Sequence, residues 1–260
     1  MGSKGISRHK KRLNAPITYS IARKHGVFTV RPLPGKRNEF SLPLGIILRE
    51  ILGYAKTLSE VKKILKREII KVDGQVRTSY KSQVGLLDTL EITVANEYYR
   101  LIPYRGKRRL MLHPISSEQA SRKPLRVEKK KTVRGGLIQL AFHDGRTLLI
   151  DPTTKGGPPV QEISPKNTIL FNLETKEIEE HFPFSEGNLG LVIGGHNVGL
   201  SGEISDIETQ LGRKNRIVTL NTEEGPIKTT DNHIFIIGQK TPIIDLSPIA
   251  TEGESNTDEQ

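Results

Sequence analysis

Residues 41–53 read SLPLGIILREILG, residues 54–67 read YAKTLSEVKKILKR and residues 69–77 read IIKVDGQVR; these three neighbouring stretches decide the fold. In the first, Leu44, Ile47, Leu48, Ile51 and Leu52 recur at helical spacing, with Ser41 as the expected N-cap, Pro43 in the first turn and Gly53 as the stop. The second places Thr57 and Glu60 at capping-box spacing, ahead of an apolar stripe of Leu58, Val61, Ile64 and Leu65. Its other face carries Lys62, Lys63, Lys66 and Arg67. Like charges four residues apart disfavour a helix slightly unless anions meet them. In the third, Asp73-Gly74 between β-rich runs predicts a hairpin, and alternation over 90–94 predicts a closing strand. Residues 39–96 thus read as one helix, helix, hairpin, strand unit.

On the N-terminal side, residues 1–38 contain Pro16, Pro32 and Pro34, and ten basic residues precede the first acid, Glu39. These are Lys4, Arg8, Lys10, Lys11, Arg12, Arg23, Lys24, Arg31, Lys36 and Arg37. So dense an uncompensated charge repels itself, which predicts an extended arm unless a polyanion neutralises it. On the C-terminal side nearly every signal is β. Strands are expected at 98–103, 108–112, 125–128, 137–142, 147–151, 168–173 and 178–182, with a brief helical turn at 116–121. A further set is expected at 189–193, 202–207, 216–221, 227–230 and 233–237, the strand count of an SH3-like barrel. The last ten residues hold four acids and no basic residue, which predicts a flexible end.

The net charge of +11 is the sum of +21 over residues 1–135 and −10 over residues 136–260. A polyanion is the natural partner of such a front half, because each phosphate contact releases condensed counterions. The candidate contacts are the ten cations of the arm, then Lys56, Lys62, Lys63, Lys66, Arg67, Lys71, Arg77 and Lys81 in the helical unit. Beyond it come Arg105, Lys107, Arg108, Arg109, Arg122, Lys123, Arg126, Lys129, Lys130, Lys131 and Arg134. Tyr98, Tyr99 and Tyr104 interleave with arginines, and could either stack on unpaired bases or face a core.

Several chemistries lack the residues they need. The chain has no Cys, which removes thiol catalysis, disulfides and Cys-ligated metal. The seven His residues show no metal-ligand spacing, no G-x-x-x-x-G-K-[ST] loop is present, and no Ser lies in G-x-S-x-G. No catalytic residue, metal or cofactor is expected. The apolar stretch at 42–52 is broken by Arg49 and Glu50, so no membrane span is expected, and the start of the chain has no apolar core of signal-peptide length.

Residues 41–92 resemble the S-four RNA-binding module, on the junction at 53–57 (GYAKT), the hairpin at 72–77 (VDGQVR) and the later run at 85–90 (GLLDTL). Residues 192–204 (VIGGHNVGLSGEI) look like the KOW motif, whose glycines let a tight loop approach an RNA backbone; its candidates are Gly194, Gly195, Asn197, Gly199 and Gly202. Leu200 and Ser201 stand where that loop tends to carry Gly and Arg. With the arm blocks KKRLNAP at 10–16 and GVFTVRP at 26–32, HDGRT at 143–147 and NHIFIIG at 232–238, nearly the whole chain resembles the S-four-e family of small-subunit ribosomal proteins. The resemblance implies an α+β, multi-domain protein: a basic N-terminal extension at 1–38, a small two-helix plus β-hairpin RNA-binding module at 39–96, a central β-barrel-like domain at 97–183, an SH3-like (KOW) β-barrel at 184–240 and an acidic flexible tail at 241–260. It further implies a cytoplasmic, ribosome-bound, non-enzymatic monomer within a ribonucleoprotein, whose partners are small-subunit ribosomal RNA and neighbouring ribosomal proteins. An RNA-modifying enzyme of pseudouridine synthase type and a free RNA chaperone or translation regulator are the alternatives. The first would need an Arg-Leu-Asp tripeptide, which the sequence lacks.

Overall fold

The computed structural model describes residues 9–106, 109–151, 162–209 and 215–244. The chain is mixed α/β, mostly strands in several small sheets, with few helices. At the N-terminal end β1 (Lys10–Lys11) and β2 (Phe28–Thr29) pair as a short antiparallel ribbon. The segment between them turns inward, so that Ala15 and Tyr19, with Val30 just beyond, join the main apolar core. Residues 9–38 are therefore folded against the body rather than extended. Burial of these apolar groups and the Arg12–Glu50 ion pair (3.1 Å) outweigh repulsion between solvated cations, which water and salt weaken.

The strand β3 (Ser41–Pro43) precedes the first helix, so Ser41 is not its N-cap. Ser41 Oγ instead donates to the Arg37 carbonyl at 2.8 Å, and Pro43, with no amide hydrogen to satisfy, leads into α1 (Leu44–Ile46). That turn continues with π-helical bonding over Ile47–Ile51. In α2 (Leu58–Lys66) the capping box forms as expected: Thr57 Oγ1 accepts from the Glu60 amide at 3.3 Å, and the Glu60 carboxylate accepts from the Thr57 amide at 3.4 Å. Val61 and Leu65 are buried and the Lys-rich face is exposed. Next come β4 (Ile70–Val72) and β5 (Gln75–Val76), joined at Asp73 (φ 51°) and Gly74 (φ 72°). Two successive left-handed residues make the tight turn whose twist suits a hairpin.

β6 (Gln83–Gly85) pairs with β3, and β7 (Thr89–Ile92), β8 (Glu97–Pro103) and β9 (Leu110–Pro114) complete a sheet of order β5-β4-β7-β8-β9. Leu90 pairs with Tyr99, so this sheet runs through residue 96, where the sequence suggests a boundary. A short α3 (Ser117–Ser121), capped by Ser116 Oγ, leads into β10 (Arg122–Thr132). β10 is far longer than the expected 125–128. With β11 (Ile138–Phe142), β12 (Thr147–Ile150), β13 (Thr168–Asn172) and β14 (Ile178–Phe182) it forms the order β12-β11-β10-β13-β14. Its first half pairs with β13 and its second with β11, with an irregularity after Val127.

The last sheet, β18-β17-β16-β15-β19, comprises β15 (Leu189–Val192), β16 (Ser201–Glu208), β17 (Ile217–Thr222), β18 (Gly225–Thr230) and β19 (Ile234–Gly238). Residues 241–244, expected to belong to a flexible tail, pack on the last sheet instead: the Ile243 amide donates to the Ile237 carbonyl at 2.7 Å, and Ile244 is buried. Residues 245–260 lie outside the described residues. The main core joins the N-terminal segment and α1 to Leu101, Leu112, Leu191 and Phe235, while Leu125, Val127, Leu140 and Ile169 form a second core in the β10 sheet and Val192, Ile204, Val218 and Leu220 a third in the last sheet.

Candidate nucleic-acid interface

The clearest cationic surface lies on α2. Lys62, Lys63, Lys66 and Arg67 are exposed, and none makes an ion pair among the described residues. Val61 and Leu65 anchor the opposite face, which forces these four outward. The surface continues across Tyr80, whose ring has the Lys62 ammonium 5.2 Å from its centre and that of Lys81 at 5.7 Å. Lys56, just before α2, and Arg77, bonded to the Gln75 side chain at 2.8 Å, are exposed as well. Lys11, Arg23, Lys24, Arg37, Arg109, Lys129, Lys131 and Arg134 are also exposed, and Lys10, Arg31 and Lys130 are half-buried. Lys4, Arg8, Lys107 and Arg108 lie outside the described residues.

Several candidates face protein. Arg12 is buried, bonded to Glu50 and to the His25 carbonyl at 2.5 Å. Arg126 is buried, with its guanidinium on Glu128 (2.5 Å) and on the carbonyls of Asn232 (3.0 Å) and Ile234 (2.9 Å). Lys71 pairs with Glu91 at 2.9 Å and Arg122 with Glu179 at 2.9 Å, while Arg105 pairs with Glu224 and Lys36 with Asp88. These cations have carboxylate partners already. Of the tyrosines, Tyr98, Tyr99 and Tyr104 are all half-buried, and the Tyr99 hydroxyl donates to Glu97 at 2.9 Å.

Lys123 departs furthest from the surface role expected of it. Its ammonium is fully buried, 2.7 Å from Asp88, 2.8 Å from Asp73 and 3.1 Å from Asp144. Arg146 also bonds Asp73 (2.8 Å) and Asp144 (3.1 Å), and Lys36 bonds Asp88. Three carboxylates thus meet three cations, a neutral cluster whose members come from the N-terminal segment, the β4–β5 turn, the loop before β7, β10 and the β11–β12 turn. Burial alone would lower the Lys123 pKa, but the three carboxylates overcome it and hold the ammonium well above its ordinary value. Burial likewise works against the Asp88 carboxylate, and Lys123 and Lys36 more than reverse it. Beside the cluster, His143 is pushed down to about 4, by burial first and then by Lys123. Its Nδ1 accepts from the Arg126 amide at 3.2 Å and its Nε2 lies 3.3 Å from the Leu86 carbonyl, as suits a neutral ring. Sequence reasoning misses this cluster because the acids stand 50, 35 and 21 positions from Lys123.

The glycine loop is also turned inward. Gly199 has φ +88°, and a Cβ there would meet the backbone of Tyr104 and Arg105, 2.8 Å from the Tyr104 carbonyl carbon. At Gly202 an added Cβ would strike the Asn221 backbone, and at Gly194 it would lie 2.8 Å from the His233 ring. Gly195 is exposed and Asn197 half-buried, its carbonyl accepting from the Leu200 amide at 3.3 Å. Among the described residues no cluster of His, Cys, Asp or Glu could hold a metal, and no helix is long and apolar enough to cross a membrane.

Comparison with known proteins places the chain among relatives of a single family. The profile of the Ribosomal family S4e matches residues 95–178, and that of the RS4NT (NUC023) domain matches residues 4–35. The small ribosomal subunit protein eS4 of Pyrobaculum islandicum is 41% identical over 242 residues, covering 92% of this chain and 99% of the relative. That of Aeropyrum pernix is 38% identical over 248 residues, covering 95% and 98%. The crystal structure of the 30S ribosomal protein S4e from Thermoplasma acidophilum superposes with a TM-score of 0.64 at 31% identity, covering 78% of this chain and 98% of that one. Near-complete coverage at such identity, from the basic segment to the last sheet, means that the chain belongs to the S4e family of small ribosomal subunit proteins, a structural and non-enzymatic family.

Proposed function

We propose that this chain holds small-subunit ribosomal RNA through phosphate contacts and so supports subunit assembly and translation in the cytoplasmic ribosome. The observation that carries the reading is the α2 face: four exposed cations without carboxylate partners, beside Tyr80 and Lys81. Folding sets these like charges side by side, which is favourable only when anions stand opposite. Residues 39–96 act as the S-four-like module, with β8 and β9 widening its sheet, and the exposed cations Arg109, Lys129, Lys131 and Arg134 continue the contact. The sheet within 184–240 is read as the KOW barrel and the more acidic back half as the side turned to solvent or to neighbouring ribosomal proteins. Phosphate contacts position a protein without reading sequence, so RNA shape sets the specificity.

The test replaces Lys62, Lys63, Lys66 and Arg67 by Gln in the full chain. Binding to small-subunit ribosomal RNA should weaken, and the slope of log affinity against log salt should become shallower by about 3, at 0.7 to 0.9 for each phosphate no longer neutralised. Circular dichroism should stay native. An unchanged affinity and slope would assign the face to solvent.

A further inference from the structure

A cleft of about 610 Å³ opens between the N-terminal ribbon and the loop before β6. Its lining includes Lys10, Arg31, Lys36 and Lys81, and no carboxylate. Lys36 reaches away to Asp88, but Lys10, Arg31 and Lys81 make no ion pair among the described residues. Lys10 is half-buried, and burial first, then the charge of Arg31, makes its ammonium easier to deprotonate. The fold thus holds three cations together without an anion, a geometry that a phosphate would relieve. The cleft also has an aromatic rim on the side of the ribbon. The Phe28 ring is 57% exposed and rests against His9, a lining residue, with ring centres 5.2 Å apart. Phe28 sits in β2 directly before Thr29, the partner of Lys10.

We propose that this cleft takes an unpaired RNA strand, with its phosphates among Lys10, Arg31 and Lys81 and one base stacked on Phe28. The proposal rests on the reading of the chain as an RNA binder and adds the class of RNA that this part accepts. A duplex keeps its base faces stacked on one another, so an exposed ring can gain from stacking only where a base is free. An acidic peptide would satisfy the cations but would leave Phe28 without a flat partner.

The experiment measures fluorescence anisotropy of the full chain with a labelled oligouridylate and with a short RNA duplex. Phe28→Leu keeps apolar bulk and removes the ring; it should weaken oligouridylate binding about 5- to 100-fold, the range for loss of one stacked base, while Phe28→Tyr retains affinity and the duplex is unaffected. Changing Lys10, Arg31 and Lys81 together to Gln should make the single-strand salt slope shallower by about 2, at 0.7 per phosphate. Equal loss of duplex and single strand, unaltered oligouridylate affinity in Phe28→Leu, or an oligoglutamate competitor as effective as oligouridylate would each overturn the proposal. The α2 variant described above separates the two readings. If it loses ribosomal RNA binding while the Phe28 variants change nothing, only the cleft assignment fails; a parent chain that binds no RNA removes both.

Discussion

Replacing Lys123 by Met removes the ammonium that three buried carboxylates share and leaves its volume largely filled. The cluster then passes from neutral to one uncompensated negative charge, with Arg146 still on Asp73 and Asp144 and Lys36 still on Asp88. Breaking a buried pair by removing one partner costs about 3 to 5 kcal/mol, because the remaining charge has lost both water and its counterion. At about 2 to 4 °C per kcal/mol for a chain of this size, the melting temperature at neutral pH should fall by about 6 to 20 °C. The loss should also depend on pH. Asp88 is buried, and its carboxyl is held below the ordinary range by Lys123 and Lys36; without Lys123 burial raises it, and protonation neutralises the cluster. The deficit of the variant should therefore shrink as the pH falls from 7 towards 5. The double variant Lys123→Met with Asp88→Asn should melt above Lys123→Met alone. Calorimetry of the three chains across that range decides the matter. A variant within 2 °C of the parent, at about 1 kcal/mol or less, or a deficit that grows in acid, would refute the assignment of Lys123 to the interior.

His143 supplies a second dependence on pH. Its pKa is about 4 in the fold against 6.5 as its ordinary value, so its contribution is whole above 6.5 and is lost as the pH falls from 6.5 to 4, by about 3 kcal/mol in all. The difference in melting temperature between parent and His143→Gln should track that window; a constant difference would place a proton on the folded ring. Gly199→Ala combines a left-handed backbone with a Cβ pressed on the Tyr104–Arg105 backbone, and should destabilise by about 1 to 3 kcal/mol in urea unfolding. An unaffected midpoint would show that the loop does not pack there.

Local order is legible wherever neighbours in sequence are neighbours in space. The stripe and capping box of α2 and the Asp73-Gly74 hairpin depend on contacts within a few residues, and all form. Ser41 reads as a cap because a Ser shortly before a Pro suits that role, whereas pairing with Gly85, decided 44 positions away, draws it into a strand. β10 reads short because its Lys run and Pro124 hide the alternation; residues 123–127 are buried, while Lys129 and Lys131 face water. Charge alone predicts an extended segment before residue 38, which overlooks Tyr19, a fully buried ring, and the acids at Glu50 and Asp88 that receive Arg12 and Lys36. For the same reason the candidate cations are exposed on α2 but buried at Arg12, Lys123 and Arg126: net charge says that cations are abundant, while only the fold says which of them already have a partner.

The shared ammonium also sets an order of events during synthesis. Polypeptides emerge from the N-terminal end, so Asp73 and Asp88 are made 50 and 35 residues ahead of the lysine that joins them. A nascent chain halted before Lys123 holds only Lys36 of the three cations that meet these acids, so the cluster is complete only once β10 and the β11–β12 turn have been made.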